Sequence, residues 1–168
     1  MIKLFLSDLD GTLTDSCYYV FGDGSPSAKR FNTKDFMGFY MLDKAGVSCA
    51  VLTSSRDKCN EAQFNRSCSR ALLHQRVMDK FGFVLETFVD SGQYKWKEIA
   101  FIGDDLNDLK LLDHVGLSGC PSDAVIEVKK NVNWESNLRG GDGCVRDFAR
   151  LVLTENGQLD HNAWCIID

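Results

Sequence analysis

The hydrophobic pattern along the chain has two spacings. Short continuous apolar runs predict buried strands, and apolar residues at helical spacing predict helices between them. The predicted strands cover residues 2–6, 47–52, 71–73, 99–102 and 115–118. The predicted helices cover residues 34–44, 57–66, 80–91, 106–112 and 142–153. A β-hairpin is predicted at about residues 18–31, where two short apolar runs flank a Gly-Asp-Gly-Ser-Pro turn.

The alternation of strands and helices predicts an α/β fold. Continuously apolar strands are typical of a parallel sheet that is covered by helices on both faces. We therefore expect a Rossmann-like, doubly wound, mostly parallel sheet with the hairpin inserted after its first strand and no large cap domain. A length of 168 residues fits one domain, 1–168, with a C-terminal tail at about 156–168.

Composition and charge exclude several function classes. The net charge is −5 and no basic cluster occurs, so we do not expect a nucleic-acid partner. No apolar run approaches about 20 residues, so no membrane span is expected. The seven cysteines are irregularly spaced without a Cys-x-x-Cys pair, which favours reduced thiols in a cytoplasmic protein. His74, His114 and His161 show no partner spacing, and we expect structural or surface roles for them.

Polar clusters follow three of the predicted strands. These clusters are Ser7-Asp8-Leu9-Asp10, Thr53-Ser54-Ser55, and residues 103–108 with the sequence Gly-Asp-Asp-Leu-Asn-Asp. Ligands of open α/β sheets bind at the carboxyl ends of the strands. If the three strands are neighbours, the clusters meet at one edge of the sheet and form a site there.

The residue types in these clusters indicate metal-assisted phosphoryl chemistry. Several carboxylates brought together repel one another, and a bound Mg²⁺ removes that cost. A carboxylate such as Asp8 can attack phosphorus, and a second one such as Asp10 can act as acid and base. Thr53 and a lysine can donate hydrogen bonds to the phosphoryl oxygens. Taken alone, an Asp-x-Asp sequence is also typical of a solvated turn or a helix cap.

The order and spacing of these clusters resemble the haloacid dehalogenase superfamily. Asp8-Leu9-Asp10-Gly11-Thr12 is similar to its first motif, Thr53 to its second, Lys80 to its third, and residues 103–108 to its fourth. The resemblance implies a phosphatase that works through an aspartyl-phosphate intermediate.

The resemblance also implies a role for each motif residue. Asp8 would be the nucleophile, and Asp10 the acid and base, with its backbone carbonyl on the metal. Mg²⁺ would be bound by Asp8, Asp10 and Asp104. Thr53 and Lys80 would hold the phosphoryl group, while Asp105 and Asp108 would hold metal-bound water or orient Lys80.

Further segments resemble one subgroup, the phosphatases of 3-deoxy-2-keto sugar acids. They are the hairpin, the run Phe31-Asn32-Thr33-Lys34-Asp35, and Arg139-Gly140-Gly141-Asp142-Gly143 before a helix that contains Arg146. The C-terminal domain of animal sialic acid cytidylyltransferases is similar as well. The resemblance implies a small sugar phosphate as substrate. It also implies a homotetramer in which hairpins pack together and a neighbouring subunit covers each active site.

The candidate substrate-binding residues each have a second interpretation. They are Asp35, Ser54, Ser55, Arg56, Arg139, Gly140 and Gly141. Asp35 is equally typical of a helix cap, and the Arg-Gly-Gly-Asp-Gly run of a turn that enters a helix. As a functional element, that run offers backbone N–H groups and Arg139 to an anion. Arg56 is either a surface residue or a partner for the sugar carboxylate.

The sugar itself is the least determined feature. After the second-motif threonine the octulosonate enzymes usually have Gly-Arg and the nononate type has Gly-Glu, but this chain has Ser54-Ser55. The Phe-Asn-Thr-x-Asp run favours a nonulosonate 9-phosphate, of the 2-keto-3-deoxynononate or N-acetylneuraminate type. 3-Deoxy-D-manno-octulosonate 8-phosphate is the alternative.

Two other classes of protein share some of these features. A receiver domain also gathers acids, a threonine and a lysine around a phosphorylated aspartate, but the second acidic cluster at residues 104–108 does not fit it. A non-catalytic tetramerisation module, like the cytidylyltransferase C-terminal domains, is disfavoured because the chain keeps its full set of motif acids and Lys80.

Overall fold

The computed structural model describes residues 1–22, 26–67 and 70–159. Six parallel strands form its central sheet: β1 (Leu4–Ser7), β4 (Ser48–Leu52), β5 (Leu72–His74), β6 (Ile99–Ile102), β7 (Leu117–Cys120) and β8 (Trp134–Glu135). A separate antiparallel hairpin consists of β2 (Tyr19–Val20) and β3 (Pro26–Ala28). The α/β fold with a hairpin after the first strand, predicted from the sequence, is confirmed.

Helices connect the strands of the sheet. They are α1 (Thr33–Lys44), α2 (Lys58–Arg66), α3 (Lys80–Val84), α4 (Leu109–Leu112), α5 (Ile126–Lys129) and α6 (Cys144–Glu155). α3 continues into a π-helical turn at Leu85–Val89, and 3₁₀ turns occupy Trp96–Glu98 and Leu106–Asp108. None of the described helices is long and apolar enough to cross a lipid bilayer.

The strand order β5-β4-β1-β6-β7-β8 places a topological switch point beside β1. From β1 the chain builds outward through β4 and β5, then returns to the other side of β1 and continues through β6, β7 and β8. The loops that leave β1 and β6 therefore diverge, and a crevice opens at their carboxyl ends. Both acidic motifs follow these two strands.

Burial on both faces explains why the central strands are continuously apolar. Phe5 points to the layer of α1 and α6, where its ring centroid lies 6.0 Å from Phe39 and 5.5 Å from Phe148. Leu4 and Leu6 belong to the cluster on the opposite face, which includes Val84 of α3. Successive residues of a strand point to opposite faces, so both faces of a doubly covered strand are apolar.

Several predicted boundaries are wrong, and two short elements were missed. The predicted helix 80–91 is α3 followed by the π-helical turn, and the strand predicted at 115–118 starts at Leu117. α5 and β8 have four and two residues, too few for a recognisable period. The predicted hairpin turn at 23–25, His161 and the tail beyond residue 159 lie outside the described residues.

Candidate active site

Lys80 joins the first and fourth motifs at the switch point. Its side chain is 1% exposed, and its Nζ lies 2.6 Å from Asp8 Oδ1 and 2.5 Å from Asp108 Oδ1. The backbone N–H of Asp8 donates to the carbonyl of Ile102 at 2.9 Å, and this hydrogen bond fixes the backbone of Asp8. Lys80 starts α3, so the helix start delivers the ammonium group to the edge of the sheet.

Asp108 contacts Lys80, and it also fixes the loop that follows β6. Its Oδ2 accepts hydrogen bonds from the backbone N–H groups of Asp104 at 3.0 Å and Asp105 at 3.4 Å. A Cβ at Gly103 would lie 2.5 Å from that oxygen, so only glycine leaves room for it. Asp105 itself is exposed and caps the 3₁₀ turn, accepting from the N–H of Leu106 at 2.7 Å. The structure thus brings Asp108, rather than Asp105, into contact with Lys80.

The loop after β1 packs against Asp104. Gly11 has φ +99°, and a Cβ there would lie 2.0 Å from Asp104 Oδ2. Thr12 Oγ1 donates to Asp104 Oδ1 at 3.2 Å. The Gly-Thr pair of the first motif therefore makes the close approach of the two acidic loops possible.

Asp8, Asp104 and Asp108 form a compact acidic triad that fits a divalent cation. One carboxylate oxygen from each lies within 4.8 Å of the others. Burial first, and then the negative charges of Asp8 and Asp108, raise the pKa of Asp104 to about 9. Burial and Asp8 raise the pKa of Asp108 to about 6, although Lys80 acts in the opposite direction. The single charge of Lys80 does not balance three carboxylates, and oxygen donors with spare charge suit Mg²⁺.

Asp10, two residues after Asp8 in the chain, contacts a different lysine. This lysine is Lys29, the residue that follows β3 of the hairpin. Its Nζ is 2.7 Å from Asp10 Oδ1. Thr53 Oγ1 and Thr14 Oγ1 lie farther from the carboxylate of Asp10, at 3.5 Å each. Burial lowers the pKa of Lys29, but the hydrogen bond to Asp10 and its charge outweigh this and raise it. Sequence reasoning missed Lys29, since an isolated lysine after a hairpin has no recognisable pattern.

Thr53 follows β4 and links Asp10 to the second motif. It is 1% exposed, and its Oγ1 also accepts the N–H of Ser55 at 3.0 Å. Thr53 is therefore held against the carboxylate of Asp10, at the limit of a hydrogen bond.

An open cleft of about 730 Å³ adjoins Asp10. Its walls include Tyr18, Ser54, Ser55, Arg56, Asp57, Arg76 and Met78. Ser55 Oγ is used internally, since it donates to Asp57 at 2.7 Å, whereas Ser54 and Arg56 are exposed. Arg76, which sequence reasoning missed, has a φ of +63°, a left-handed conformation uncommon for a residue other than glycine. Among the described residues, neither arginine has a carboxylate within 4.0 Å.

The Arg139-Gly140-Gly141 run braces the first motif. The N–H of Gly140 donates to Asp123 at 2.9 Å, and that of Gly141 donates to the carbonyl of Thr12 at 3.0 Å. Arg139 pairs with Asp123 at 3.2 Å. A Cβ at Gly140 would lie 1.9 Å from the carbonyl oxygen of Gly11. In this structure the N–H of Gly140 is taken by the Asp123 carboxylate and that of Gly141 by the Thr12 carbonyl, so the role of these glycines in substrate binding stays a prediction.

Asp35 links α1, its own helix, to α6. The sequence predicted instead that it lies near the substrate or caps its own helix. Asn32 caps α1 by accepting from the N–H of Lys34 at 3.0 Å. Asp35 is fully buried, and its Oδ1 accepts the N–H of Arg146 in the first turn of α6 at 2.9 Å. Its Oδ2 has no hydrogen-bond partner among the residues that the structure describes. Burial raises the pKa of Asp35 to about 7, against the backbone hydrogen bonds that lower it.

The raised pKa of Asp35 predicts that its contribution to stability is lost as the pH rises. The unfolded chain releases this proton near pH 3.8 and the folded chain near pH 7, so ionisation over that range favours unfolding. The full effect is on the order of 4 kcal/mol. We expect Asp35→Asn to flatten this dependence, so that urea unfolding at pH 5 and pH 8 shows a smaller difference than in the parent chain. Asp43→Asn on the same helix is the control, and parallel pH profiles for Asp35→Asn and the parent would contradict the assignment.

Two of the three histidines have the structural surroundings that were predicted. The His74 ring lies 4.9 Å from that of Phe83, and burial lowers the pKa of His74. The His114 ring lies 4.6 Å from that of Phe81, and its Nδ1 is 2.7 Å from the carbonyl of Lys110. Among the described residues, neither histidine forms a hydrogen bond with Asp8, Asp104 or Asp108.

Known proteins resemble this chain along most of its length. No family model matches the chain. It is 32% identical to N-acylneuraminate cytidylyltransferase A of Danio rerio over 154 residues, which is 91% of this chain and 35% of that protein. It is 29% identical over 159 residues to 3-deoxy-D-manno-octulosonate 8-phosphate phosphatase KdsC of Yersinia pestis, covering 95% of this chain and 83% of that protein. The chain thus spans about a third of the cytidylyltransferase but most of the phosphatase.

Solved structures share the whole fold. A protein described as a probable YrbI family phosphatase from Pseudomonas syringae is 32% identical, with a TM-score of 0.89 over 99% of this chain and 94% of that chain. The 3-deoxy-D-manno-octulosonate 8-phosphate phosphatase of Moraxella catarrhalis, solved with magnesium, phosphate and KDO, is 25% identical. Its TM-score is 0.85, over 94% of this chain and 89% of that chain. The chain therefore belongs to the YrbI and KdsC type of phosphatases in the haloacid dehalogenase superfamily.

Proposed function

We propose that this protein is a Mg²⁺-dependent phosphatase of 2-keto-3-deoxy sugar acid phosphates that uses Asp8 as its nucleophile. The observation that carries the proposal is the buried contact of Lys80 with Asp8 and Asp108 beside Asp104, at the switch point of the sheet. A structural ion pair needs one carboxylate for one lysine. The surplus of buried negative charge is explained when a cation occupies the site, and that cation together with Lys80 then supplies the positive charge that a bound phosphoryl group needs.

In the first step an Asp8 carboxylate oxygen attacks phosphorus while the bond from phosphorus to the sugar oxygen breaks. The sugar oxygen takes the electron pair of that bond and a proton from the carboxyl group of Asp10. Lys80 and Thr53 stabilise the negative charge on the phosphoryl oxygens. The products are the free sugar acid and an aspartyl-phosphate at Asp8.

In the second step water hydrolyses the aspartyl-phosphate. Its oxygen bonds to phosphorus, and its proton goes to the Asp10 carboxylate. The bond between phosphorus and Asp8 breaks, so that Asp8 regains its carboxylate and inorganic phosphate is released. Asp10 therefore returns to the protonated form in which the cycle began.

The side chains of Asp8 and Asp104 and the backbone carbonyl of Asp10 would hold Mg²⁺. When bound, Mg²⁺ neutralises charge on the phosphoryl oxygens and orients them for attack. Asp108 keeps Lys80 and the loop after β6 in place through its three hydrogen bonds.

The comparisons support 3-deoxy-D-manno-octulosonate 8-phosphate better than the nonulosonate that the sequence run at residues 31–35 favours. Relatives of nearly full length are named as octulosonate 8-phosphate phosphatases. We therefore take the octulosonate as the first substrate to test. A nonulosonate 9-phosphate is the second, because the N-acylneuraminate cytidylyltransferase of Danio rerio is 32% identical.

Two exposed arginines support an acidic sugar as the substrate. Arg56 and Arg76 line the cleft beside Asp10, and among the described residues neither has a carboxylate within 4.0 Å, although the charge of Arg56 acts on Asp57 from farther away. Guanidinium groups bind carboxylates in a bidentate geometry. The unusual backbone of Arg76 costs conformational energy, and residues that keep such strain cluster at binding sites.

The substrate proposal is tested with a panel of phosphates in the presence of Mg²⁺. The panel contains the octulosonate 8-phosphate, nonulosonate 9-phosphates, and a neutral sugar phosphate of similar length. We expect kcat/KM for the acidic sugars to exceed that for the neutral sugar by at least about tenfold, the value of one good charge-assisted contact. In the double variant Arg56→Ala, Arg76→Ala this preference is expected to shrink while turnover of p-nitrophenyl phosphate stays within about twofold. Equal rates on acidic and neutral sugars would overturn the substrate class.

Assembly and location are further parts of the proposal. Tyr19, Val20 and Phe21 of the hairpin are 67%, 75% and 58% exposed, an apolar surface suited to packing against other copies of the chain. We propose a homotetramer whose neighbouring subunits cover the open clefts. The described cysteines 17, 49, 59, 120 and 144 are free, which supports a reducing, cytoplasmic location.

A further inference from the structure

Lys29 is a buried cation that the mechanism above does not use. It directly follows β3 of the hairpin, whose neighbouring residues Tyr19 and Val20 are exposed, yet its own side chain is only 1% exposed. Burying an ammonium group is costly unless every N–H finds a partner. The position of Lys29 is therefore specified by its partners and not by general packing.

Each of the three N–H donors of Lys29 has an acceptor. Its Nζ lies 2.7 Å from Asp10 Oδ1, 3.2 Å from Asp57 Oδ2 and 3.3 Å from Ser55 Oγ. The ring of Tyr18 covers the ammonium group, with its centroid 4.8 Å away. The partners come from the first motif, the segment after Thr53 and the hairpin, so Lys29 joins three loops at one atom.

The contact with Lys29 is the shortest that orients the carboxylate of Asp10. The hydroxyl groups of Thr14 and Thr53 lie 3.5 Å from that carboxylate, at the limit of a hydrogen bond. Within the described part of the chain, only these two long contacts would restrict the rotation of the Asp10 side chain without Lys29. A general acid or base that is misplaced by about 1 Å loses much of its effect on rate.

We propose that Lys29 is a positioning residue for Asp10. Lys29 holds the Asp10 carboxylate in the orientation for proton transfer, so turnover depends on the position of the hairpin that carries Lys29. The inference rests on the proposed function, because it assumes that Asp10 exchanges protons with the leaving oxygen and with water. Lys29 takes no proton in either step and forms no bond to the substrate.

Phosphate esters with different leaving groups separate positioning from folding. p-Nitrophenolate leaves as a stable anion, so formation of the aspartyl-phosphate from p-nitrophenyl phosphate needs no acid. Hydrolysis of the aspartyl-phosphate still needs Asp10 to take the proton of water. Loss of the correct Asp10 orientation therefore slows the second step with this substrate, and both steps with an alkyl or sugar phosphate.

The experiment is rapid-mixing kinetics of Lys29→Met in the presence of Mg²⁺. With p-nitrophenyl phosphate we expect a burst of about one nitrophenolate per active site, followed by turnover lowered on the order of 10²-fold. With the sugar acid phosphate we expect the same loss in kcat, no burst, and KM within about twofold. Lys29→Gln, which keeps a hydrogen-bond donor, is expected to fold and to recover part of the turnover, and it carries the test if Lys29→Met is unfolded.

Arg30→Met is the matched control. Arg30 is the next hairpin residue, half-exposed, and it ties the hairpin to Asp15 at 3.0 Å and to Asp142 at 2.9 Å without touching Asp10. It should show neither a burst nor more than about a twofold change in kcat. Equal rate losses without a burst in the Lys29 and Arg30 variants, or wild-type rates in folded Lys29→Met, would overturn the proposal. If the parent chain hydrolyses no phosphate, the proposed function itself fails, which is a different result.

Discussion

An Asp8→Asn variant is expected to fold like the parent chain and to lose phosphatase activity by on the order of 10³-fold or more. The carboxamide has nearly the same shape, and its carbonyl oxygen can still accept a hydrogen bond from Lys80, which is 2.6 Å from Asp8 Oδ1. It cannot form the acyl-phosphate, because its oxygen carries no negative charge for attack on phosphorus. The measurement is kcat on p-nitrophenyl phosphate and on the preferred sugar phosphate, with circular dichroism as the folding check.

A matched acid and a chemical trap complete this test. Asp15→Asn changes an acid in the same loop that pairs with Arg30 at 3.0 Å, and it should keep near-parental turnover. Acid quenching of the parent during turnover, followed by peptide mass spectrometry, should place a phosphate on the peptide that contains Asp8. Near-normal turnover by Asp8→Asn, with mass spectrometry excluding deamidation, would refute the nucleophile assignment.

Replacing Lys80 with Met is expected to reduce both stability and activity. The substitution leaves Asp8 and Asp108, which are 6% and 0% exposed, without the cation that contacts both of them. Removing one partner of a buried ion pair costs about 3–5 kcal/mol. Activity should fall on the order of 10²-fold or more, because the phosphoryl oxygens lose a charged donor. Urea unfolding without Mg²⁺ and steady-state kinetics with Mg²⁺ measure the two effects separately.

The double variant Lys80→Met, Asp108→Asn shows which charge is responsible for the instability. Removing one of the two unpaired carboxylates should restore part of the free energy of unfolding but none of the activity. Added Mg²⁺ should stabilise Lys80→Met more than it stabilises the parent, because the cation takes over the missing positive charge. An unchanged urea midpoint for Lys80→Met would contradict the contacts on which the site is built.

The sequence predicted the strands and the site best where an apolar strand is followed directly by acidic residues. Strands such as Leu4–Ser7 and Ile99–Ile102 are apolar on both faces, so their position and parallel pairing follow from the pattern of the residues alone. The acids that follow these strands occur in short fixed spacings, which made Asp8, Asp10 and Asp104 recognisable before any coordinates. Short elements such as Trp134–Glu135 had no period to recognise and were missed.

The contacts that the sequence did not predict concern residues whose partners are distant in sequence. Asp35 faces the first turn of α6, 111 residues away, and so caps a helix other than its own. The N–H groups of Gly140 and Gly141 are occupied by Asp123 and Thr12, which no local pattern of the Arg-Gly-Gly-Asp-Gly run reveals. Local sequence shows what a side chain or N–H group can donate or accept, but not which group the fold places beside it.

The sequence by itself determined the fold class, the acidic motifs and the type of reaction that those motifs predict. These features depend on residue type and on short spacings, which persist in any conformation of the chain. Only the tertiary structure decided that Asp108 rather than Asp105 contacts Lys80, that Arg76 joins Arg56 in the cleft, and that Lys29 reaches Asp10. Such contacts join segments that are 19 to 28 residues apart, as in Asp10 with Lys29 and Lys80 with Asp108. They form because the parallel sheet brings the carboxyl ends of separate strands to one edge, where the charges of one loop find their partners in another.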